Sequence, residues 1–216
     1  MPPSPVPDEP LSTRQRILQA AAAQFARRGF HGTSTRDIAA EVGIRQPSLF
    51  HHFTTKQAML AELLDRDLQP ALERIRRHRG ANPAVRLYAY LVEDVAALVA
   101  SPFDVRGLYN DAVLEDPSLI EQRRAREALH AEMRSLVTDG IAAGEFRACD
   151  PEVARQMMTG MLLDTIWAAG VPADLDVGRR AKEVADFVLR GLLSDRGRVS
   201  LVEREAMALA TRPDRG

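Results

Sequence analysis

Apolar residues recur at helical spacing from residue 13 almost to the end of the chain, and this periodicity most constrains the fold. Valine, isoleucine, threonine and aromatic residues nowhere alternate with polar residues over the length of a strand. We therefore expect an all-α protein with no strands and no internal repeat. The pattern predicts helices over residues 13–28, 35–42, 46–53, 55–79, 83–100, 105–115, 117–143, 151–169, 177–194 and 201–211.

Helix starts are marked by residues with capping side chains. Asn82-Pro83, Asp116-Pro117 and Asp150-Pro151 each join such a residue to a proline in the first turn, where its missing N–H costs little. The other expected caps are Ser12, Thr54 or Thr55, and the capping boxes Ser34–Asp37 and Ser200–Glu203.

The composition is ordinary for a globular chain, with 45% apolar and 27% charged residues among 216. One cysteine, Cys149, excludes an internal disulfide and suits a reducing cytosol, where we expect the protein to act. No apolar run approaches the ~20 residues of a membrane span. Residues 1–11 contain five prolines and are typical of a disordered arm rather than a secretion signal.

Charge is distributed unevenly along the chain. Residues 12–56 carry seven Arg or Lys and two acids, whereas the remainder carries 22 basic and 28 acidic residues. A basic module on an acidic remainder is expected where a small domain meets an anionic polymer. The alternative is chance clustering on a solvated surface.

Residues 34–53 have the pattern of a helix-turn-helix. The residues spaced to pack its helices together are Ile38, Ala39, Val42, Ile44, Leu49 and Phe53. The polar or small residues left facing outward are Arg36, Arg45, Gln46, Pro47, Ser48, His51 and His52. Arginine and glutamine can each bond one base edge twice in the major groove. The alternative is a three-helix packing unit with a polar surface.

A longer pattern surrounds this segment: Gly29-Phe30, Thr33 to Ala39, Gly43-Ile44, Ser48 to Phe53 and Lys56. It resembles the DNA-binding domain of the tetracycline-repressor (TetR) family of bacterial regulators over about 45 residues. Beyond them, the chain resembles the family only in helix count, length and spacing. The resemblance implies base contacts by Arg36, Gln46 and Pro47, and phosphate contacts by Thr35, Ser48 and Lys56.

Some positions depart from the family pattern or allow two interpretations. Phe50 stands where the family usually has tyrosine, which removes a hydrogen bond from a phenol to phosphate. Arg45 replaces the usual small cap and is either an extra DNA contact or solvated. His52 either packs between helices or contacts phosphate. Arg14 and Arg16 either contact the DNA backbone or are solvated.

The last two long helices are candidates for dimerisation, because a protein that reads a two-fold DNA site needs two copies. Helices 151–169 and 177–194 resemble the family's four-helix dimer interface; alternatively, they serve only the core of one chain. Gly160 and Gly191 lie inside them, where glycine costs about 1 kcal/mol relative to alanine. Close approach of helices would explain these glycines.

The central helices predict a pocket for a small-molecule effector, since methionine and aromatic side chains suit an adaptable apolar cavity. The candidates are Phe103, Leu108, Tyr109, Met133, Val137, Met157, Met161, Asp164 and Trp167. Such stripes also serve as ordinary core. Asp164 either bonds a polar group of the ligand or lies at the edge of the dimer.

These interpretations predict a DNA-binding domain at 12–56, a helical ligand-binding and dimerisation domain at 57–195, and a tail at 196–216. We expect a homodimeric regulator of transcription that binds a palindromic operator and is released by an apolar or amphipathic effector; most members of the family are repressors. The alternative is a DNA-binding regulator controlled by a protein partner or by its abundance. No catalytic, cofactor or metal motif appears, so neither an enzyme nor a membrane partner is expected.

Overall fold

The computed structural model describes residues 11–167 and 176–210, and within them the chain is helical apart from its connections and one isolated bridge between Phe146 and Leu193. This confirms the all-α prediction. The α-helices are α1 (Thr13–Arg28), α2 (Thr35–Val42), α3 (Gln46–Phe50), α4 (Lys56–Arg76), α5 (Pro83–Val99), α6 (Asp111–Leu114), α7 (Ile120–Ala142), α8 (Pro151–Trp167), α9 (Val177–Leu192) and α10 (Val199–Ala210). The arm expected at 1–11 lies outside the described residues except for Leu11.

The described chain forms two compact units. The first contains the residues up to Leu63 and the segment Pro102–Val113. It is larger than the predicted 12–56 domain, because the start of α4 and a distant loop belong to it. Its core joins α1 to the helix-turn-helix through side chains that are almost fully buried: Ile17, Leu18, Phe25, Ile38, Leu49 and Phe53.

The predicted helix at 105–115 is wrong. The segment instead forms a 3-10 turn, Val105–Gly107, followed later by the short α6. The Asp104 side chain accepts a hydrogen bond from the backbone N–H of Arg106 and so caps that turn. A Cβ at Gly107 would collide with the backbone of Phe25 in α1. Contact with α1 therefore overrides the local helical periodicity here.

Other helix boundaries also differ from the predictions. α3 ends at Phe50, although the backbone N–H of Phe53 still bonds the carbonyl of Leu49 at 3.0 Å. α7 starts after a separate 3-10 turn, Pro117–Leu119. The Ser200–Glu203 capping box is wrong, because α10 already begins at Val199.

The second unit comprises Leu64–Ser101 and the residues from Leu114 onward. Helix α5 lies at its centre, packed against α9 and α10, while α7 packs against α8. Its fully buried side chains include Leu87, Tyr88, Leu91, Val95, Val137, Ala185 and Leu189. This core needs no disulfide or metal to hold it together.

A buried ion pair joins α4 to α5 in the second unit. Arg74 donates from Nε and Nη2 to Oδ1 of Asp94, at 3.0 and 2.6 Å. The Tyr90 hydroxyl donates to the other carboxylate oxygen at 3.3 Å. Burial raises the pKa of Asp94, and the Arg74 charge opposes that rise. The carboxylate is thus matched by a charged partner on the helix that continues from the first unit.

Candidate nucleic-acid interface

Local sequence explains the shape of the helix-turn-helix. Ser34 and Asp37 form the expected capping box at the start of α2. Gly43 ends α2 in the left-handed region at φ 74°, where other residues are strained. The chain then enters α3, and Ala39, at 2% exposure, leaves room for the two short helices to pack.

The residues predicted to contact DNA lie on α2, on α3 and in the segment that follows α3. The exposed members of this set are Arg36, Arg45, Pro47, Ser48, Phe50 and His51, and the half-buried members are Thr35, Gln46, His52 and Lys56. The surface therefore combines guanidinium, amide and hydroxyl groups with a proline and a phenylalanine. These are the groups that phosphates and base edges require.

Gln46 and Thr35 are in direct contact across the two short helices. The amide nitrogen of Gln46 donates to the hydroxyl of Thr35 at 2.8 Å. This bond restricts the glutamine side chain before any DNA arrives, so less rotamer entropy is lost on binding. The sequence suggested separate roles for these residues and did not predict their contact.

Both acids of this basic segment are paired with arginines within the first unit, Glu41 with Arg27 and Asp37 with Arg28. Glu41 accepts from Arg27 at 2.8 Å, and this bond lowers the pKa of Glu41. Hydrogen bonds from Ser34 likewise lower the pKa of Asp37. The described contacts include no ion pair for Arg36 or Arg45, so these guanidinium groups are available to an anionic partner.

Arg14 and Arg16 perform a role that the sequence did not indicate. Arg14 donates to the carbonyl of His52 at 2.7 Å, pairs with Glu62 and lies 4.1 Å from the ring centre of Phe53. Arg16 donates to the carbonyl of Val42 at 2.6 Å. Cations at these carbonyls satisfy backbone groups left open where the short helices end. The two arginines therefore hold the helix-turn-helix against α1.

Lys56 also makes internal contacts. Its ammonium donates to the carbonyls of Phe30 and Thr33, each at 2.6 Å, and lies 4.3 Å from the ring centre of Phe30. Burial lowers the pKa of this lysine. Two of its three N–H groups are thus committed to the turn between α1 and α2, which leaves one for a phosphate.

Replacing Lys56 with methionine is expected to lower the free energy of unfolding by about 1–3 kcal/mol, because two carbonyls lose a charged donor. Urea unfolding followed by circular dichroism measures the change. Arg45→Met is the control, since Arg45 is exposed and makes no side-chain cap; it should shift stability by less than about 0.5 kcal/mol. Unchanged stability together with weaker binding to every DNA would instead make Lys56 chiefly a phosphate contact.

The residues predicted to bind an effector are distributed over both units. Phe103, Leu108 and Tyr109 belong to the first unit, where Leu108 is buried. Met133 and Val137 lie in the core of the second unit. The structure therefore does not bring the nine candidates together in one described pocket, and their ligand role stays a prediction. The side chain of Trp167 lies outside the described residues.

Met157 and Met161 line a groove of about 310 Å³ between α8 and α9. Other lining residues are Cys149, Val153, Val188 and Phe187. Met157 is 64% exposed and Phe187 is 70% exposed, which is unusual for large apolar side chains. Asp164 is exposed on the same helix as Met157.

In its first unit the fold is that of a helix-turn-helix protein, a class that reads DNA with its second short helix. Residues 17–63 match the profile of "Bacterial regulatory proteins, tetR family", and residues 80–167 match that of "Tetracyclin repressor-like, C-terminal domain". The chain belongs to the TetR family of transcriptional regulators, whose members are DNA-binding proteins rather than enzymes.

Individual relatives agree with this assignment. The transcriptional repressor KstR2 of Rhodococcus jostii (strain RHA1) is 31% identical over 193 residues, which cover 84% of this chain and 91% of that protein. The crystal structure of Mycobacterium smegmatis AmtR has a TM-score of 0.74 at 31% identity, covering 96% of this chain and 100% of that one. AibR in complex with isovaleryl coenzyme A and operator DNA has a TM-score of 0.69 at 22% identity, over 84% and 98% of the two chains, a likeness in fold alone.

Two further properties concern the described ranges, 11–167 and 176–210. None of the helices there is both long and apolar enough to cross a membrane. No group of three or more His, Cys, Asp or Glu side chains is placed there to hold a metal ion.

Proposed function

We propose that this TetR-family regulator binds a palindromic operator as a homodimer and is released from it by a small apolar or amphipathic effector. The observation that supports DNA binding is the group of polar side chains that face outward on α2 and α3. Among them, the amide of Gln46 donates a hydrogen bond to the hydroxyl of Thr35 at 2.8 Å. Arg36 and Gln46 read base edges, Pro47 contacts a base through its ring, and Thr35, Ser48 and Arg45 contact phosphates.

Arg36→Ala and Gln46→Ala are each expected to weaken specific operator binding by about 1–3 kcal/mol and to relax the preference at one base position. Arg45→Ala should weaken binding to all sequences alike and reduce the salt slope by about 1. Fluorescence anisotropy measures both effects, using DNA from upstream of the chain's own gene, scrambled DNA and a salt series.

Arg124→Ala is the matched control, because Arg124 is an exposed arginine of α7 whose ion pair within the described residues is with nearby Glu121. It should leave affinity and salt slope unchanged. If Arg36→Ala and Gln46→Ala change binding no more than this control on an operator recovered from the genome, α2 and α3 do not read the bases.

The proposal of a homodimer is supported by an exposed apolar face on α8 and α9. Val153, Met157 and Phe187 expose apolar surface there. A Cβ at Gly160 or Gly191 would meet nothing within 4 Å, so no described neighbour in the chain explains these glycines. A second copy packed on the same face would bury the apolar side chains, and the absence of Cβ atoms at the two glycines would let its helices approach closely.

The proposed effector is supported by two solved structures of the same fold whose descriptions name a small molecule. AibR was solved in complex with isovaleryl coenzyme A and operator DNA, and KstR2 of Mycobacterium tuberculosis is described as a ketosteroid transcriptional regulator. An effector acts by favouring one arrangement of the two DNA-binding domains, a coupling of typically 1–3 kcal/mol. Titration of the operator complex with a broad set of apolar and amphipathic compounds tests this. Unchanged affinity throughout would favour control by a protein partner or by abundance.

A further inference from the structure

Thr35 and Gln46 occupy equivalent places in the two short helices, since each is the first residue of its helix. The helices are anchored beneath them by Ile38 of α2 and Leu49 of α3, which are fully buried. Packing within the first unit therefore sets the positions of the two residues. The 2.8 Å hydrogen bond between their side chains then orients the glutamine amide.

This hydrogen bond leaves the amide of Gln46 with a defined pair of groups for DNA. A glutamine amide has two N–H donors and one carbonyl oxygen. One N–H is donated to the Thr35 hydroxyl, and no described residue binds the other N–H or the carbonyl oxygen. Gln46 thus offers a base one donor and one acceptor side by side.

The Thr35 hydroxyl can fix the order of these two groups. A hydroxyl that accepts from Gln46 still has its own proton to donate, and no described residue accepts that proton. The proposed function directs it to a DNA phosphate. With the proton on the phosphate, a reversed amide would set its carbonyl oxygen against the lone pairs of the hydroxyl oxygen. The DNA backbone and Thr35 together therefore favour one orientation of the amide.

We propose that Thr35 is a specificity-determining residue, which holds the amide of Gln46 in the orientation that reads adenine. In the major groove adenine presents an acceptor, N7, and a donor, the N6 amino group, which match the two groups that the amide offers. Guanine presents two acceptors, N7 and O6, so the held carbonyl oxygen would face O6 with no proton between them. This inference rests on the DNA-binding part of the proposed function.

The test compares Thr35→Val, which removes the hydroxyl and keeps the shape of the side chain, with Thr35→Ser, which keeps the hydroxyl. An operator is first selected from random duplex DNA with the wild-type chain, and Gln46→Ala identifies the base position that Gln46 reads. Fluorescence anisotropy then gives the Kd for duplexes with adenine or guanine at that position. The wild type and Thr35→Ser are expected to prefer adenine at least about tenfold, and Thr35→Val less than about threefold.

The ratio of the two Kd values separates a positioning role from a phosphate contact, because loss of a phosphate contact weakens both duplexes alike. Adding Gln46→Ala to Thr35→Val should not change the ratio further, as expected when one residue acts through the other. Thr138→Val is the control, since Thr138 is exposed on α7 and donates to the carbonyl of Arg134 in its own helix. It should keep both the affinity and the ratio.

A measurement without DNA tests the contact itself. The side-chain amide resonance of Gln46 is assigned by its loss in Gln46→Ala, and NMR relaxation should show this amide to be more mobile in Thr35→Val than in the wild type or Thr35→Ser. Equal mobility, an unchanged ratio in Thr35→Val, or a selected base other than adenine would overturn the inference alone. A wild-type chain that selects no sequence would overturn the proposed operator binding and this inference together.

Discussion

Phe187→Asp is expected to convert the proposed homodimer to a monomer and to weaken operator binding by more than about a hundredfold, because the carboxylate would have to be buried at the proposed interface without a partner. Phe187 is 70% exposed on α9, beside the groove that α8 and α9 form. A two-fold interface would contain the substituted residue of both copies, so two unpartnered carboxylates would destabilise it. Each monomer would then reach only one half of the operator.

Light scattering after size exclusion measures the mass, and anisotropy measures the operator affinity. Met207→Asp is the matched control, because Met207 is also a large exposed apolar side chain, at 43%, but lies on α10. It should remain dimeric with unchanged affinity. A dimeric Phe187→Asp protein, or equal loss in both variants, would mean that this face is not the interface.

Asp94→Asn is expected to lower the free energy of unfolding by about 3–5 kcal/mol, since it leaves the Arg74 charge buried without its counter-ion. The side chains of Arg74 and Asp94 are 13% and 7% exposed, and two hydrogen bonds to one carboxylate oxygen join them. Because α4 continues from the first unit into the second, a loosened α4 should also weaken the proposed response of operator binding to an effector.

Glu93→Gln is the control from the adjacent position. It breaks the Arg77–Glu93 pair, which has a comparable distance of 2.7 Å but side chains that are 41% and 25% exposed. Such a pair contributes at most about 1 kcal/mol. Urea unfolding compares the two variants. A loss in Asp94→Asn no larger than that in Glu93→Gln would show that the buried pair does not stabilise the second unit.

Local features of this protein could be predicted from the sequence alone. Ser12, Ser34 with Asp37, and Asn82 cap the helices as expected, because a cap depends on residues only a few positions apart. Helical periodicity predicted the all-α class and most of the long helices. The helix-turn-helix pattern placed Arg36, Arg45 and Pro47 on the outer surface, where they are exposed.

Only the tertiary structure decided features that depend on residues far apart in the chain. Arg14, Arg16 and Lys56 looked like available cations, yet each donates to carbonyls 23 or more positions away. The predicted helix at 105–115 gives way to a turn because Gly107 packs on the backbone of Phe25.

Sequence patterns therefore determined the fold class, many of the helix starts and the type of DNA-binding motif, all of which follow from spacing within a few turns. They could not determine which arginines form internal hydrogen bonds or which apolar side chains of α8 and α9 remain exposed. Those outcomes depend on which helices pack together, because a donor or an apolar face is satisfied only by the neighbour that the fold brings to it.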